Sequence, residues 1–186
     1  MALVAFLRGV NVGGHRRFRV SLLAKELCDY DVVNVGATGL LVARKPGSRT
    51  AFRAELLRRL PFDTGVVLCG EHELLELHAE KPFGSQMPAG DVVRFVSVLM
   101  EPAGSRLPQM PLEIPSGPQW LVRIFGRRKR FVFGFYRRSM KTIGYLAQID
   151  KLLGARVTTR NWNTILSVIR ILEPSPRSER RRRSVS

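Results

Sequence analysis

The segment Phe6-Leu7-Arg8-Gly9-Val10-Asn11-Val12-Gly13-Gly14 gathers an arginine, an asparagine and three glycines. Glycines let backbone N–H groups approach an anion. Arginine offers a planar fork to phosphate or carboxylate, and asparagine adds a directional donor. A second segment, Arg160-Asn161-Trp162-Asn163-Thr164, repeats that chemistry where an apolar-periodic run begins, and a helix N-terminus there favours negative charge. Arg8, Asn11, Gly13, Gly14, Arg160, Asn161 and Asn163 are therefore the candidate ligand-binding set, read as one anion-accepting site. Each segment also has a plainer explanation. The glycines fit a tight turn that needs positive φ, and Asn161 or Thr159 can cap a helix while Trp162 points to the core. The spacing of Gly9 and Gly14 imitates a phosphate-binding loop of nucleotide hydrolases. That reading is set aside, because His15 stands where the loop needs lysine and Arg16 where magnesium needs Ser or Thr.

A third candidate is Arg127, Arg128, Lys129 and Arg130, followed by Phe131, Phe133 and Phe135. Alternation puts the three rings on one face of a strand. On an open sheet they could stack bases while the cations hold phosphates, which makes Arg127–Arg130 the candidate nucleic-acid-binding residues. A row of phenylalanines more often faces a core. Metal chemistry finds little support. His72 and His78 are six residues apart, so on a helix they diverge by roughly 240°. The glutamates around them read as a solvated helix face. Cys28 and Cys69 make no CxxC pair and read as small reduced hydrophobes, as in a cytosolic protein. No Ser/His/Asp or Cys/His grouping stands out, and no metal, cofactor or catalytic residue is expected.

Charge sets the classes of partner. Thirty-one lysines and arginines stand against 15 acids, a net of +16 in 186 residues. Residues 174–186 carry five arginines and one glutamate, +4, which leaves +12 to residues 1–173. The excess attracts polyanions or follows simply from arginine-rich composition. Hydrophobic residues at 45% are ordinary for a folded chain, and the apolar runs are too short to insert in a membrane. The apolar start lacks a basic n-region, so no secretory signal is expected and the location is read as cytoplasmic.

The elements that must position these groups are legible in outline. Ala2–Leu7 reads as a buried strand. Val20, Leu23, Leu27 and Tyr30 keep helical spacing. Val32–Val35 and Leu40–Ala43 read as strands about a Thr38-Gly39 turn. Thr50 is a candidate N-cap for a helix with Phe52, Leu56 and Leu60 on one face, and Gly65–Cys69 is a fourth strand. Strand, helix, strand, strand, helix, strand is the split βαβ order of ferredoxin-like units. Further on come a helix near Glu71–Glu80, a strand over Val92–Leu99 and a proline-rich loop with an edge strand near Leu112–Ile114. A hairpin of Trp120–Phe125 and Arg130–Tyr136 follows. The pattern then predicts a helix capped by Ser139 with Ile143, Leu146, Ile149 and Leu153 inward, closed by Gly154. A short strand at Ala155–Thr158 precedes a last helix carrying Trp162, Ile165, Leu166, Ile169 and Leu172.

The Phe6–Gly14 segment resembles the start of a bacterial family called domain of unknown function 1697. Thr158–Thr164 is similar to that family's C-terminal signature, and Lys81-Pro82-Phe83 and Ser139-Met140-Lys141 fall where the family has similar residues. The resemblance spans about residues 2–172. It implies a pair of ferredoxin-like α+β subdomains and supplies no activity. One departure stands out. After the second strand the family has a polar Gln/Ser/Gly/Asn stretch, whereas here Ala37, Thr38, Gly39 and Leu40 lose two amides, as in a divergent member.

The expectation is one α+β domain over residues 1–173, built of two ferredoxin-like (βαββαβ-type) halves at about 1–70 and 71–173, with a disordered basic tail at 174–186. The favoured function is a non-enzymatic module that binds nucleic acid or another polyanion through basic surfaces. The alternative is an enzyme or sensor for a small phosphorylated or carboxylated ligand at the Arg8–Gly14 loop. Oligomeric state is left open.

Overall fold

The apolar run at the start of the chain forms strand β1 (Leu3–Leu7), buried along its whole length. It belongs to a computed structural model that describes residues 1–11, 18–84, 90–101 and 107–173. Helix α1 (Val20–Glu26) follows, then strands β2 (Val32–Asn34) and β3 (Leu40–Ala43), helix α2 (Arg49–Arg59) and strand β4 (Val66–Gly70). The four strands pair antiparallel in the order β2-β3-β1-β4. Alternation then sorts the side chains. Leu3, Ala5, Leu7, Leu41, Val66 and Leu68 share a core with α1 and α2. From α2, Phe52 and Leu56 enter that core fully buried, each contributing about 1.5–3 kcal/mol of burial.

The second half adds α3 (Glu71–Ala79), β5 (Val92–Leu99), β6 (Leu112–Ile114), β7 (Val122–Arg128) and β8 (Phe131–Arg137). It ends with α4 (Met140–Ala147), α5 (Ile149–Leu153), β9 (Val157–Asn161) and α6 (Trp162–Leu172). Its sheet runs β6-β7-β8-β5-β9, all antiparallel. Phe95, Leu99, Val122, Ile124 and Val132 pack with Ile149, Leu153 and Val157 on one face. The other face turns toward the first half. Val4, Phe6, Leu40 and Val42 share a core with Val96, Val98, Phe131, Phe133 and Phe135, joined by Leu74 and Leu77 of α3 and Ile165 and Ile169 of α6. The described residues are thus α+β, with two antiparallel sheets and six α-helices.

Several local expectations need correction. Ser48, not Thr50, caps α2, its hydroxyl accepting from the Ala51 N–H at 3.0 Å. Ser139 and Gly154 act as expected, but Gln148 interrupts the helix between them, so α4 and α5 are separate. The phase changes at that break, and Ile143 is 60% exposed rather than inward. The last strand runs to Asn161, so the capping choice falls on Asn161 and Thr159 stays in the strand. Cys28 is exposed and does not pack as a hydrophobe, whereas Cys69 is buried, which pushes its thiol up to about 12. Leu40 lies fully buried in the inter-sheet core, so its lack of an amide belongs to packing. The hairpin strands reach further than expected and include Arg127 and Arg128. The tail at 174–186 lies outside the described residues, as do Gly13 and Gly14. Among the described residues no helix is long and apolar enough to cross a membrane.

Candidate functional site

Strand β1 ends at Leu7, and Arg8 and Gly9 turn off its end, Gly9 at φ 68°. Strand β9 is an edge of the other sheet and ends at Asn161. The fold brings these two ends together. Arg8, Gly9, Thr159, Arg160 and Asn161 all line one cleft of about 450 Å³. The remaining wall is largely apolar and comes from Phe95, Tyr136, Ile143, Leu146 and Ile149, with Asp150 at its polar end.

Arg160 is the unusual residue of this cleft. It is 7% exposed, and its guanidinium is spent on carbonyls. Nη1 donates to Thr159 O at 2.7 Å, and Nη2 donates to Leu7 O and Thr38 O, both at 2.7 Å. It therefore ties β9 to the end of β1 and to the turn before β3. Gly39 makes that approach possible. At φ 77° it accepts the Leu7 N–H at 2.7 Å, and a Cβ there would stand 2.8 Å from Leu7 Cβ. Among the described residues no carboxylate pairs with Arg160, and its buried Nε has no partner. Burial alone pushes its pKa down to about 10. Thr158 Oγ1, on the same strand, is likewise buried without a partner.

Arg8 is differently placed. Its side chain is 43% exposed and forms an ion pair with Asp150, while Nε donates to Val157 O at 3.3 Å. The other carboxylate oxygen of Asp150 accepts the Val157 N–H at 3.0 Å. Asp150 thus closes the β9 edge and holds Arg8 over it. Ladder alternation also turns the Thr159 N–H toward the free edge, because Val96 and Arg160 form the hydrogen-bonded pair beside it.

The other sequence candidates divide. Asn11 sits at φ 55°, a conformation asparagine tolerates. Its Nδ2 donates to Phe18 O at 2.8 Å and Ala37 O at 2.7 Å, and its Oδ1 accepts the Phe18 N–H at 2.7 Å. It clasps the two ends of the segment between residues 11 and 18. Asn161 caps α6, accepting the Asn163 N–H at 2.9 Å. Asn163 is exposed and outside the cleft lining. Asp150, Tyr136, Ile143 and Leu146 were not anticipated. Asp150 lies 142 residues from Arg8, and no local pattern links them.

The basic hairpin is not a free cationic platform. Arg128 pairs with Glu80 at 3.3 Å, Lys129 with Glu76 at 2.7 Å and Arg130 with Glu73 at 3.2 Å. Arg127 Nε donates to Lys129 O at 2.7 Å. The glutamates read as a solvated face are also the partners of the hairpin, Glu76 and Glu80 staying exposed and Glu73 largely covered. The phenylalanine row is covered as well. Phe83 sets its ring 5.9 Å from Phe133, 5.6 Å from Phe135 and 5.0 Å from Trp162. Within Lys81-Pro82-Phe83, Phe83 is thus a plug on the inner face of the second sheet, while Lys81 is exposed. Among the described residues no group of three His, Cys, Asp or Glu is placed to hold a metal ion.

Comparison with known proteins agrees with this architecture. No curated protein matches the chain. A conserved bacterial protein of Streptococcus pneumoniae, SP0830, has a similar structure, with a TM-score of 0.58 over 92% of this chain and 98% of that one. Identity is 15%, so the likeness is one of fold. The family model "Protein of unknown function (DUF1697)" matches residues 1–111, which include Arg8 and Asn11 but stop short of Arg160. The match covers more than half of the sequence, and the chain belongs to the DUF1697 family of proteins of unknown function.

Proposed function

We propose that this protein binds a small organic anion, carboxylated or phosphorylated and carrying an apolar body, in the cleft between β1, β9 and α4. The observation that carries the reading is Arg160, a nine-tenths-buried guanidinium on a cleft wall that among the described residues has no carboxylate partner. A buried charge is costly unless paired, and a bound anion supplies the missing counter-charge. Arg8 is the exposed fork that would leave Asp150 to meet it. Thr159 N–H adds a donor, and Tyr136, Ile143 and Leu146 fit an apolar body. Ile143, exposed at the rim, has a use in this reading that packing does not give it.

The two sheets also support a reading as two ferredoxin-like halves. Strands β7-β8-β5-β9 repeat the order β2-β3-β1-β4, and each half closes with a helix after its last strand. In this scheme β6 and its flanking loop stand where the first half has α1. The ligand cleft then lies where the first strand of one half meets the last strand of the other. The polyanion reading through Arg127–Arg130 has weaker footing, since three of those four cations already hold glutamates.

Thermal denaturation with a panel of aromatic and aliphatic carboxylates and phosphate monoesters tests the proposal. At a hundredfold excess over Kd a true ligand adds about 2.7 kcal/mol, a rise of roughly 5–10 °C for a chain of this size. Arg8→Ala and Ile143→Asp should each remove the rise, and Ile143→Asp should do so without lowering the ligand-free Tm. A panel with no saturable shift, or variants that respond like the parent, would overturn it.

A further inference from the structure

A second cationic site lies on the outer edge of β4. Arg49 and Arg53, one turn apart on α2, Arg130 just before β8 and Arg156 just before β9 converge on a groove of about 350 Å³. Val66, Leu68 and Met100 form its floor and Glu101 its rim. Arg49 donates to Leu68 O, Arg53 to Val66 O at 2.7 Å and Arg130 to Leu68 O at 3.4 Å. Each guanidinium has five donors, so these bonds leave most of its fork for something else.

We propose that this groove binds a linear oligophosphate group. Covering an exposed strand edge is useful, but β4 presents only two outward carbonyls here, and two donors suffice for them. Four arginines exceed that need. They also stand against local electrostatics. Arg49 is the first residue of α2, whose first turn contains no acid, so a cation sits where the helix dipole disfavours one. The acids at hand are Glu73, paired with Arg130, and Glu101, paired with Arg156 at 2.6 Å, against four cations drawn from both halves of the chain. Arginine forks match phosphate oxygens bidentately, and successive phosphates along a short chain fit forks arrayed along a strand. An added peptide strand fits less well, because the arginines already occupy the edge carbonyls it would need. Among the described residues no aromatic side chain lines the groove, so a base attached to the phosphates gains nothing from stacking there.

Titration calorimetry with inorganic tripolyphosphate, run against sulfate at matched ionic strength, tests this site. The full chain should bind one tripolyphosphate saturably, and a nucleoside triphosphate should bind within a few-fold of it. The double variant Arg53→Gln, Arg156→Gln alters exposed side chains and should fold. It should weaken binding by about tenfold or more, as expected when charge-assisted bonds are lost. Glu101→Gln removes the rim acid and should tighten binding, a change of sign that a purely structural role for the arginines does not produce. Equal heats for sulfate and tripolyphosphate would overturn the proposal, as would a double variant that binds like the parent. Displacement of tripolyphosphate by a much lower concentration of single-stranded oligonucleotide would show that the groove reads a nucleic-acid backbone instead, and would overturn it too.

Discussion

Arg160 shows how one side chain can serve structure and leave a charge over. Its carbonyl partners come from three segments, Leu7, Thr38 and Thr159, which it alone joins among the described residues. Removing the guanidinium strands the Leu7 carbonyl in a buried place and the other two in part-buried ones, and an unsatisfied buried polar group costs about 1–3 kcal/mol. Arg160→Ala is therefore expected to lower stability by about 3 kcal/mol in urea unfolding. Arg160→Lys should lose nearly as much, because an ammonium cannot span the same fork. A loss below about 1 kcal/mol for the alanine variant would mean that water replaces the guanidinium. Arg8 contrasts with it. Its pair with Asp150 is partly exposed, and such pairs contribute little to stability. Under the proposed function its value lies in leaving Asp150 for a ligand.

At the level of elements, the meeting of the β7–β8 hairpin with α3 is the clearest case of paired design. Glu73, Glu76 and Glu80 fall three and four residues apart, so one helix face meets Arg130, Lys129 and Arg128 in turn. The three pairs are not equal. Glu73 is the least exposed, and its second oxygen accepts the Gly70 N–H at 2.9 Å, back-bonding to the start of α3. Glu73→Gln is expected to cost about 1–2 kcal/mol by loss of a charged hydrogen bond and a partly buried pair. Glu80→Gln, at a solvent-exposed pair, should stay within about 0.5 kcal/mol. Chemical denaturation of the two variants side by side checks this, and equal losses would contradict the burial argument.

For the whole molecule, the inter-sheet core decides how the halves behave. Strands β1 and β3 share it with β5 and β8, and α3 and α6 add Leu74, Leu77, Ile165 and Ile169. Neither sheet can expose that face without losing the other's apolar surface, so the described residues should unfold as one cooperative unit. Native-state hydrogen exchange provides the measurement. The slowest amides of β1 and of β8 should report the same opening free energy. A difference of several kcal/mol between them would show two independently stable halves. The net charge is also a property of the whole. Acids are few, and many of those described hold an arginine or lysine, so among the described residues excess cations gather where arginines outnumber acids, as along β4, where Arg49, Arg53, Arg130 and Arg156 meet Glu73 and Glu101.

Local patterns determined most of the elements. Helical spacing and strand alternation act within a few residues, so the β1, β3, β5 and β6 spans, the Ser139 and Gly154 caps and the buried phenylalanine row were all readable. The two signature segments were also recognisable as chemistry. Their roles were not, because polar side chains choose partners by distance in space. Asn11 found Phe18 and Ala37, Arg8 found Asp150, and the glutamates of α3 found a hairpin some fifty residues away. Shared chemistry suggested one site for Arg8 and Arg160, but only the tertiary structure defines the cleft they line and gathers four arginines along one edge. Both arrangements depend on which strand ends and edges meet when the sheets close on each other, and no repeat or spacing in the chain encodes that meeting.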